Sequence, residues 1–453
     1  MLRGRTTGKR PGRTAVDPVP APPPLGRRFA LVWASVTISA LGDGMRFVAL
    51  PLLASRLTSD PRQIAAVALA EQLPWLVIGL PSGALADRVD RRRVLWVTDS
   101  CRALVAAVLA VAVATGRDSV ALLVGSGIPL GCGQALYNGA WAGIVPALVP
   151  RSQFARANAR ILAGVLTAET LLGTLLGAVV FGAAASLPFF VDSGSFGAAA
   201  GLALLVGGSF RPRGGAGDPE GPEPEPETGG PRGTGEAAAD TGTPSAGRTL
   251  RQDVAEGVRW LLRHPTLRLL CAVAGLLNLA NGGMVAILVV YARQAVGLGS
   301  VGFALLVAGY AVGGLGGTAG AARLTGRFGP TRVLPCAMAV AVAAIAVVSG
   351  ARSAAIAAVA IAVFGAADLL WNVTAVSLRQ SLVPHAMLGR VTMAYQLVTN
   401  ASGALGALGA GYLAHGLGVR APFWCAALVL GAATVIQLPL RGAQFATSGT
   451  RSE

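Results

Sequence analysis

Long apolar stretches recur along this chain, and they constrain its fold more than any other feature. About 20 consecutive apolar residues suffice to cross the hydrocarbon core of a bilayer as one helix. Backbone polar groups inside lipid must be hydrogen-bonded within the protein, which favours helices. The sequence therefore predicts an all-α membrane protein with twelve transmembrane helices. They run approximately over residues 29–53, 63–86, 95–115, 119–147, 157–183, 187–209, 268–292, 299–322, 331–350, 353–377, 392–415 and 419–440.

The overall composition agrees with a membrane location. Of the 453 residues, 53% are hydrophobic and 13% are charged, whereas soluble domains carry about 25% charged residues. The net charge of +16 is a feature of nucleic-acid-binding proteins as well. Here, however, the basic residues lie mainly in the connectors between apolar stretches, where they orient membrane helices. We therefore expect the lipid bilayer as a partner, and no nucleic acid.

Motifs for metal, nucleotide or covalent chemistry are absent from the sequence. The five cysteines and three histidines show no spacing typical of a disulfide framework or a zinc site. There is no G-x-x-x-x-G-K-[ST] loop for ATP. We expect no metal site, no cofactor and no enzymatic activity.

Composition also divides the chain into segments. Residues 1–28 are basic and proline-rich and are predicted to be a disordered arm, and residues 441–453 a cytoplasmic tail. Residues 29–210 and 268–440 each contain six apolar stretches. Between them, residues 211–267 are predicted to be a cytoplasmic linker, with a disordered Pro/Gly/Glu-rich part and an amphipathic helix over 250–263 that lies on the membrane surface. The distribution of arginines predicts a plasma-membrane protein with both termini in the cytoplasm.

The two halves are related by an internal repeat. Residues 42–45 (GDGM) align with 281–284 (NGGM) at a shift of 239, and residues 134–138 (QALYN) align with 368–372 (DLLWN) at a shift of 234. Two nearly equal shifts, spread over several spans, indicate parallel repeats with the same sidedness. The prediction is two pseudo-symmetric six-helix bundles.

Small residues recur at helical spacing within two of the spans. Gly309, Gly313 and Gly317 follow one another every four residues, and so do Gly173 and Gly177. Such spacing lets helix backbones approach closely in membrane bundles. We expect close helix contacts at both stripes.

The loop between the second and third spans carries a recognisable motif. Residues 83–92 (GALADRVDRR) resemble the loop motif G-x-L-a-D-r-x-G-r-r of the major facilitator superfamily, with Asp90 in place of the usual glycine. Residues 39–44 (SALGDG), 145–150 (VPALVP) and 253–259 (DVAEGVR) resemble the drug-exporter branch that contains macrolide-efflux and enterobactin-exporter-like proteins. The resemblance implies the major facilitator fold and a cytoplasmic gate. The gate residues would be Gly83, Asp87, Arg88, Arg91 and Arg92.

Charges inside the apolar stretches cost roughly 2.5–3.5 kcal/mol each, so each needs a reason. Asp43 and Arg46 lie three residues apart on one face of the first span. Glu71 reaches a comparable depth in the second span, so we expect the three to form an acid–base–acid cluster. Two interpretations stay open. The cluster is either a proton-binding site or a permanent ion pair that holds the two spans together.

Further polar residues are candidates for a central cavity. Glu169 lies near the middle of the fifth span without a local cation, which suits proton exchange or a cationic substrate. Asp368 replaces its repeat mate Gln134, and the resemblance implies that these spans line the cavity. The position of Asp368 in the inner half of its span leaves a role in the cytoplasmic gate equally open. Tyr137 and Trp371 are aromatic candidates on the same spans, for which core packing is the alternative. Three charges that we expect near span ends are interpreted as structural: Asp99, Arg102 and Asp192.

Together these features predict a secondary transporter. We expect a monomeric proton-coupled exporter, an antiporter that confers multidrug resistance, for a lipophilic or cationic small molecule. Uptake or lipid translocation by the same fold is the alternative within transporters. A membrane scaffold or sensor that does not transport is the alternative outside that class.

Overall fold

A computed structural model describes residues 25–86, 90–141, 148–150, 153–206, 250–384 and 387–438. Within these ranges the chain is helical and contains no strand. Two of its thirteen helices include a π-helical segment. The helices are α1 (Arg27–Leu57), α2 (Pro61–Ala86), α3 (Arg91–Ala114), α4 (Val120–Trp141), α5 (Phe154–Val165, the π-helical Leu166–Gly173 and Thr174–Ala183), α6 (Leu187–Leu205), α7 (Leu250–Arg263), α8 (Pro265–Val290 and the π-helical Tyr291–Ala295), α9 (Ser300–Phe328), α10 (Pro330–Gly350), α11 (Ala354–Leu382), α12 (Leu388–Leu417) and α13 (Ala421–Gln437).

Most of these helices can cross a membrane. In the described part of the chain, nine are long and apolar enough: α1, α3 to α6 and α8 to α11. The predicted all-α membrane fold is confirmed. The other three predicted spans correspond to α2, α12 and α13, with 26, 30 and 17 residues. That these three helices also cross the membrane stays a prediction, and so does the total of twelve spans. The terminal segments 1–24 and 439–453 and the linker residues 207–249 lie outside the described residues.

Glycine and proline set the tight connections between consecutive helices. Gly329 ends α9 with a φ of 75°, and Gly418 ends α12 with a φ of 89°. This left-handed conformation carries little cost for glycine only. Pro330 and Pro422 follow in the first turns of α10 and α13, where the missing N–H would have had no helical partner.

The helices form two bundles with matching contacts. In the first bundle α1 packs on α5 and α6, α3 packs on α4 and α6, and α2 packs on α4. The repeat-equivalent helices of the second bundle make the same five pairs: α8 with α12 and α13, α10 with α11 and α13, and α9 with α11. The predicted pseudo-symmetry of the two bundles is therefore confirmed.

The contacts between the bundles follow the same symmetry. Helix α2 packs against α12, and its counterpart α9 packs against α5. Polar contacts join the bundles at the end that we expect to face outward. Arg293 Nη1 donates to the carbonyl of Ser55 at 3.0 Å and to its hydroxyl at 2.7 Å. His415 Nδ1 lies 3.3 Å from a carboxylate oxygen of Asp60. Side-chain and backbone hydrogen bonds from Arg62 lower the pKa of Asp60 to about 2, so this carboxylate is ionised.

The predicted surface helix is present as α7, with the predicted bounds 250–263. It packs against α12 and α8. Leu261 is buried, whereas its neighbour Leu262 is 52% exposed. Glu256 Oε2 lies 3.2 Å from Arg390 Nη1 of α12. This helix thus has an apolar face on the second bundle.

Both glycine stripes lie at close helix crossings, as their spacing predicts. Gly313 and Gly317 of α9 lie directly against the backbone of Ala362 and Ala366 in α11, with no room for a side chain. In α5, a Cβ on Gly177 would lie 2.7 Å from Met45 Cα of α1. A Cβ on Gly173 would lie 2.7 Å from the Leu41 carbonyl oxygen, so α1 and α5 are also in backbone contact.

Gly313→Ala is expected to destabilise the protein, because the new methyl group meets the Ala362 backbone. Overpacking of this kind costs about 1–3 kcal/mol. The measurement is thermal unfolding of the purified protein in detergent. Gly316→Ala is the matched control on the same helix, since no atom lies within 4 Å of its added Cβ. Equal midpoints for the two variants would contradict the close crossing of α9 and α11.

Candidate functional site

A cavity of about 680 Å³ lies between the two bundles. Much of its wall is apolar or aromatic, including Phe47, Trp75, Phe303 and Phe364. The polar part of the wall lies mainly on the first bundle. It includes six of the eight residues that the sequence indicates for a cavity: Asp43, Arg46, Glu71, Gln134, Tyr137 and Glu169.

Arg46 holds the first part of an ionic cluster beside this cavity. Its Nη2 lies 2.7 Å from Asp43 Oδ1, and its Nη1 donates to Glu71. The structure thus brings together the three residues of the expected acid–base–acid cluster. The Nε of Arg46 lies 3.1 Å from Asp192 Oδ2, which ties α6 to α1 and α2.

Arg102 of α3 holds the second part of the cluster. Its Nη2 donates to Asp43 Oδ1 and, at 2.5 Å, to Gln134 Oε1. Its Nη1 lies 3.6 Å from Asp99, and its guanidinium carbon lies 3.9 Å from the ring centre of Phe196. Asp43 therefore bridges two guanidinium groups.

Three members of this cluster were not expected from the sequence. Their position in the sequence predicts structural roles near span ends for Asp99, Arg102 and Asp192, yet they are only 0%, 1% and 0% exposed. One signal could have found two of them. Asp99 and Arg102 lie three residues apart on one helix, the same spacing as Asp43 and Arg46. Asp192 has no comparable local signal, because its partner Arg46 comes from a distant part of the chain.

Carboxyl groups outnumber guanidinium groups in the cluster. Asp43, Glu71, Asp99 and Asp192 surround Arg46 and Arg102, so full ionisation would leave two surplus negative charges (four minus two). Asp99 and Asp192 each have an ion-pair contact with one guanidinium group, but none of their carboxylate oxygens has a hydrogen-bond partner in the described part of the chain. Uncompensated buried charge is costly. The arrangement is therefore suited to holding one or two protons.

Glu169 stands apart from this cluster. It lies on the π-helical segment of α5, is exposed to the cavity, and makes no ion pair with any residue that the structure describes. Gly44 of α1 lies directly against the Glu169 carbonyl, so the backbone here is closely packed. Single π-helical turns within α-helices are frequent at functional sites. This carboxyl group is free to face a ligand.

The two remaining cavity candidates lie behind the wall of the second bundle. Asp368 accepts hydrogen bonds from the Tyr310 hydroxyl at 2.5 Å and from Asn281 Nδ2 at 3.3 Å, and these two partners line the cavity. Trp371 is buried and donates to Gln437 Oε1 at 2.9 Å. Trp371 therefore joins α11 to α13 and does not line the cavity.

The expected gate is described only in part. Asp87 and Arg88 lie outside the described residues, and the structure gives only backbone positions for Gly83 in α2 and Arg91 in α3. Arg92 Nε donates to the Ala203 carbonyl at 3.1 Å, and its Nη2 donates to the Leu204 carbonyl, both at the end of α6. Carbonyl groups there have no helical partner.

Asp90, which replaces the usual glycine of the motif, has a local structural role. Its side chain accepts a hydrogen bond from the backbone N–H of Arg92 at 3.0 Å and so caps the start of α3. Aspartate is among the preferred residues at this position. The departure from the motif is thus accommodated by a helix cap.

Curated relatives of this chain are transporters. The chain is 27% identical over 418 residues to the uncharacterized MFS-type transporter YfiS of Bacillus subtilis, covering 89% of this chain and 91% of that protein. It is 38% identical over 100 residues to the multidrug efflux pump Tap of Mycobacterium tuberculosis. That shorter match covers 22% of this chain and 24% of Tap.

Solved structures show the same fold. A bacterial homologue of the iron transporter ferroportin in its inward-facing state matches 92% of this chain and 99% of its own, with a TM-score of 0.67 and 16% identity. The outward-facing state of that homologue matches the same shares of both chains with a TM-score of 0.57 and 17% identity. At these identities the likeness shows the fold alone.

The family model of the Major Facilitator Superfamily matches residues 32–407. The two matching six-helix bundles and the cavity between them agree with that match. The chain therefore belongs to the Major Facilitator Superfamily and is a secondary transporter of that type.

Proposed function

We propose that this transporter exports lipophilic cations from the cytoplasm in exchange for protons. It would act as a monomer in the plasma membrane, with both termini in the cytoplasm. The observation that carries the proposal is Glu169, a carboxyl group that faces a largely apolar cavity and has no ion-pair partner among the described residues.

The chemistry of the cavity supports a lipophilic cation as the substrate. Ligand sites are typically apolar, with a few polar groups that fix orientation. Aromatic side chains such as Trp75 and Phe364 supply the apolar wall, and Glu169 supplies one negative charge. A cation that leaves water loses hydration, and a carboxylate at low dielectric offsets that loss. The local similarity to the efflux pump Tap supports export as the direction.

The ionic cluster supports proton coupling. Its surplus of carboxyl over guanidinium groups provides sites for protons, and Asp43 links both guanidinium groups. Glu71 of the cluster and the free Glu169 line the same cavity. A proton that arrives at Glu169 neutralises it and weakens its hold on a bound cation, which is the competition that an antiporter needs.

Contacts between the bundles support alternating access. Arg293 and Ser55, and His415 and Asp60, join the bundles at the expected outer end. The better match to an inward-facing than to an outward-facing relative agrees with closure at this end. The structure would then represent the state that is open to the cytoplasm.

Glu169→Gln is expected to raise the KM for a lipophilic cation such as ethidium by about tenfold or more, since the variant keeps the shape of the side chain and removes its charge. The measurement is efflux from cells that lack other pumps. Glu256→Gln on α7 is the matched control, because Glu256 lies on the surface helix outside the cavity. An unchanged KM in Glu169→Gln would contradict the proposed substrate class.

A proton gradient is expected to drive transport without ATP. In proteoliposomes, an imposed pH gradient should drive ethidium against its own gradient, and an uncoupler should abolish this uptake. A difference of one pH unit supplies about 1.4 kcal/mol for each proton moved. Liposomes without protein are the control. Transport that persists at full rate with the uncoupler would contradict proton coupling.

Locking the outer end is expected to stop transport. In a variant that lacks the five native cysteines, Ser55→Cys with Arg293→Cys should be joined by a cleavable bifunctional maleimide, because the two side chains are in contact. Transport should fall at least tenfold and return after reduction of the linker. Each single-cysteine variant, treated in the same way, is the control. Full transport by the cross-linked protein would contradict opening at this end.

A further inference from the structure

We infer that Tyr310, Asn281 and Asp368 form a second recognition site, on the wall of the second bundle, for N–H groups of the transported cation. This inference rests on the proposed function and adds a chemical requirement to it. Glu169 would recognise positive charge, whereas the second site would recognise hydrogen-bond donors. We call these three residues the Tyr310 site.

The Tyr310 site is built around a buried carboxyl group. Asp368 is 7% exposed, and the described residues include no cation within ion-pair distance of it. The Tyr310 hydroxyl donates to its Oδ2 at 2.5 Å, and Asn281 Nδ2 lies 3.3 Å from the same atom. Both donors come from helices that line the cavity. The acid of this site is therefore held by two neutral hydrogen-bond donors.

The internal repeat shows that this chemistry is specific to the second bundle. Tyr310 occupies the position that Glu71 occupies in the first bundle, and Asp368 occupies that of Gln134. Val285 stands where the first bundle has Arg46. The second bundle therefore has no internal guanidinium at the place where the first bundle compensates its acids. An N–H donor of a ligand in the cavity can complete this hydrogen-bond network instead.

The hydroxyl of Tyr310 connects Asp368 to the cavity. Because its proton is donated to Asp368, the phenolic oxygen keeps its lone pairs for a donor on the cavity side. Chains of hydrogen bonds polarise one another at low dielectric, so the acid strengthens the phenol as an acceptor. Tyr310 lines the cavity next to Phe364, with ring centroids 6.0 Å apart. An amino or ammonium group beside an aromatic body fits this wall.

Two lipophilic cations separate this site from simple charge recognition. Ethidium carries amino groups, whereas tetraphenylphosphonium has a positive charge and no N–H. Tyr310→Phe removes only the hydroxyl. We expect it to raise the KM for ethidium about tenfold with little change in kcat, and to leave the KM for tetraphenylphosphonium within twofold. Asp368→Asn, which removes the charge behind the phenol, should show the same selectivity.

Tyr395→Phe is the matched control. Tyr395 belongs to the second bundle and is buried, with its hydroxyl 3.4 Å from the Leu270 carbonyl, and it does not line the cavity. Tyr395→Phe should leave the KM values for ethidium and for tetraphenylphosphonium unchanged. Tryptophan fluorescence of the purified variants measures the binding of each cation. This second readout does not depend on transport.

The results of these experiments distinguish failure of the Tyr310 site from failure of the proposed function. If the unaltered protein transports both cations but Tyr310→Phe affects neither, or affects both equally, the Tyr310 site is wrong and the proposed function stands. If the unaltered protein transports and binds neither cation, the proposed function is wrong and the inference fails with it. Selective loss of ethidium affinity in both Tyr310→Phe and Asp368→Asn supports the inference.

Discussion

Two guanidinium groups buried among four carboxyl groups organise the first bundle. Removing such charges from water is costly unless each is paired, so Arg46 and Arg102 require acids from four helices at fixed distances. Asp43 serves both of them, which makes α1 the helix on which α2, α3 and α6 converge. Loss of either guanidinium would leave buried acids uncompensated. The proposed proton coupling makes use of the same surplus of acids.

The two bundles share a fold but differ in their chemistry. The five helix pairs of the first bundle recur in the second, so the backbone symmetry of the repeat is retained. In place of the ionic cluster, however, the second bundle has one acid held by a phenol and an amide. Fold symmetry therefore supplies a cavity between equivalent walls, and side-chain asymmetry gives each wall a different set of polar groups.

Packing within the bundles and the polar contacts between them at the outer end differ in strength. Within a bundle, glycines such as Gly313 bring helix backbones together, and such packing tolerates little change. Between the bundles, the polar contacts at the outer end involve exposed side chains, for example His415 and Arg293. Exposed ion pairs are worth about 0–1 kcal/mol. Helices α2 and α12, and α9 and α5, also pack across the bundles, so the exposed polar contacts are only one part of the interface between them.

Local properties of the sequence determined the membrane helices, the bounds of α7, the glycine stripes and the pairing of Asp43 with Arg46, because hydropathy and spacing along one helix depend on neighbouring residues only. The contact with Glu71 was predicted from its similar depth in the next span. Other features were decided by tertiary structure alone. Asp192 reaches Arg46 across 146 residues of sequence, Trp371 packs on Gln437 and not on the cavity, and Glu169 lies on a π-helical turn. The rotation and tilt of each helix decide which side chains meet, and packing among all the helices of a bundle sets that rotation and tilt.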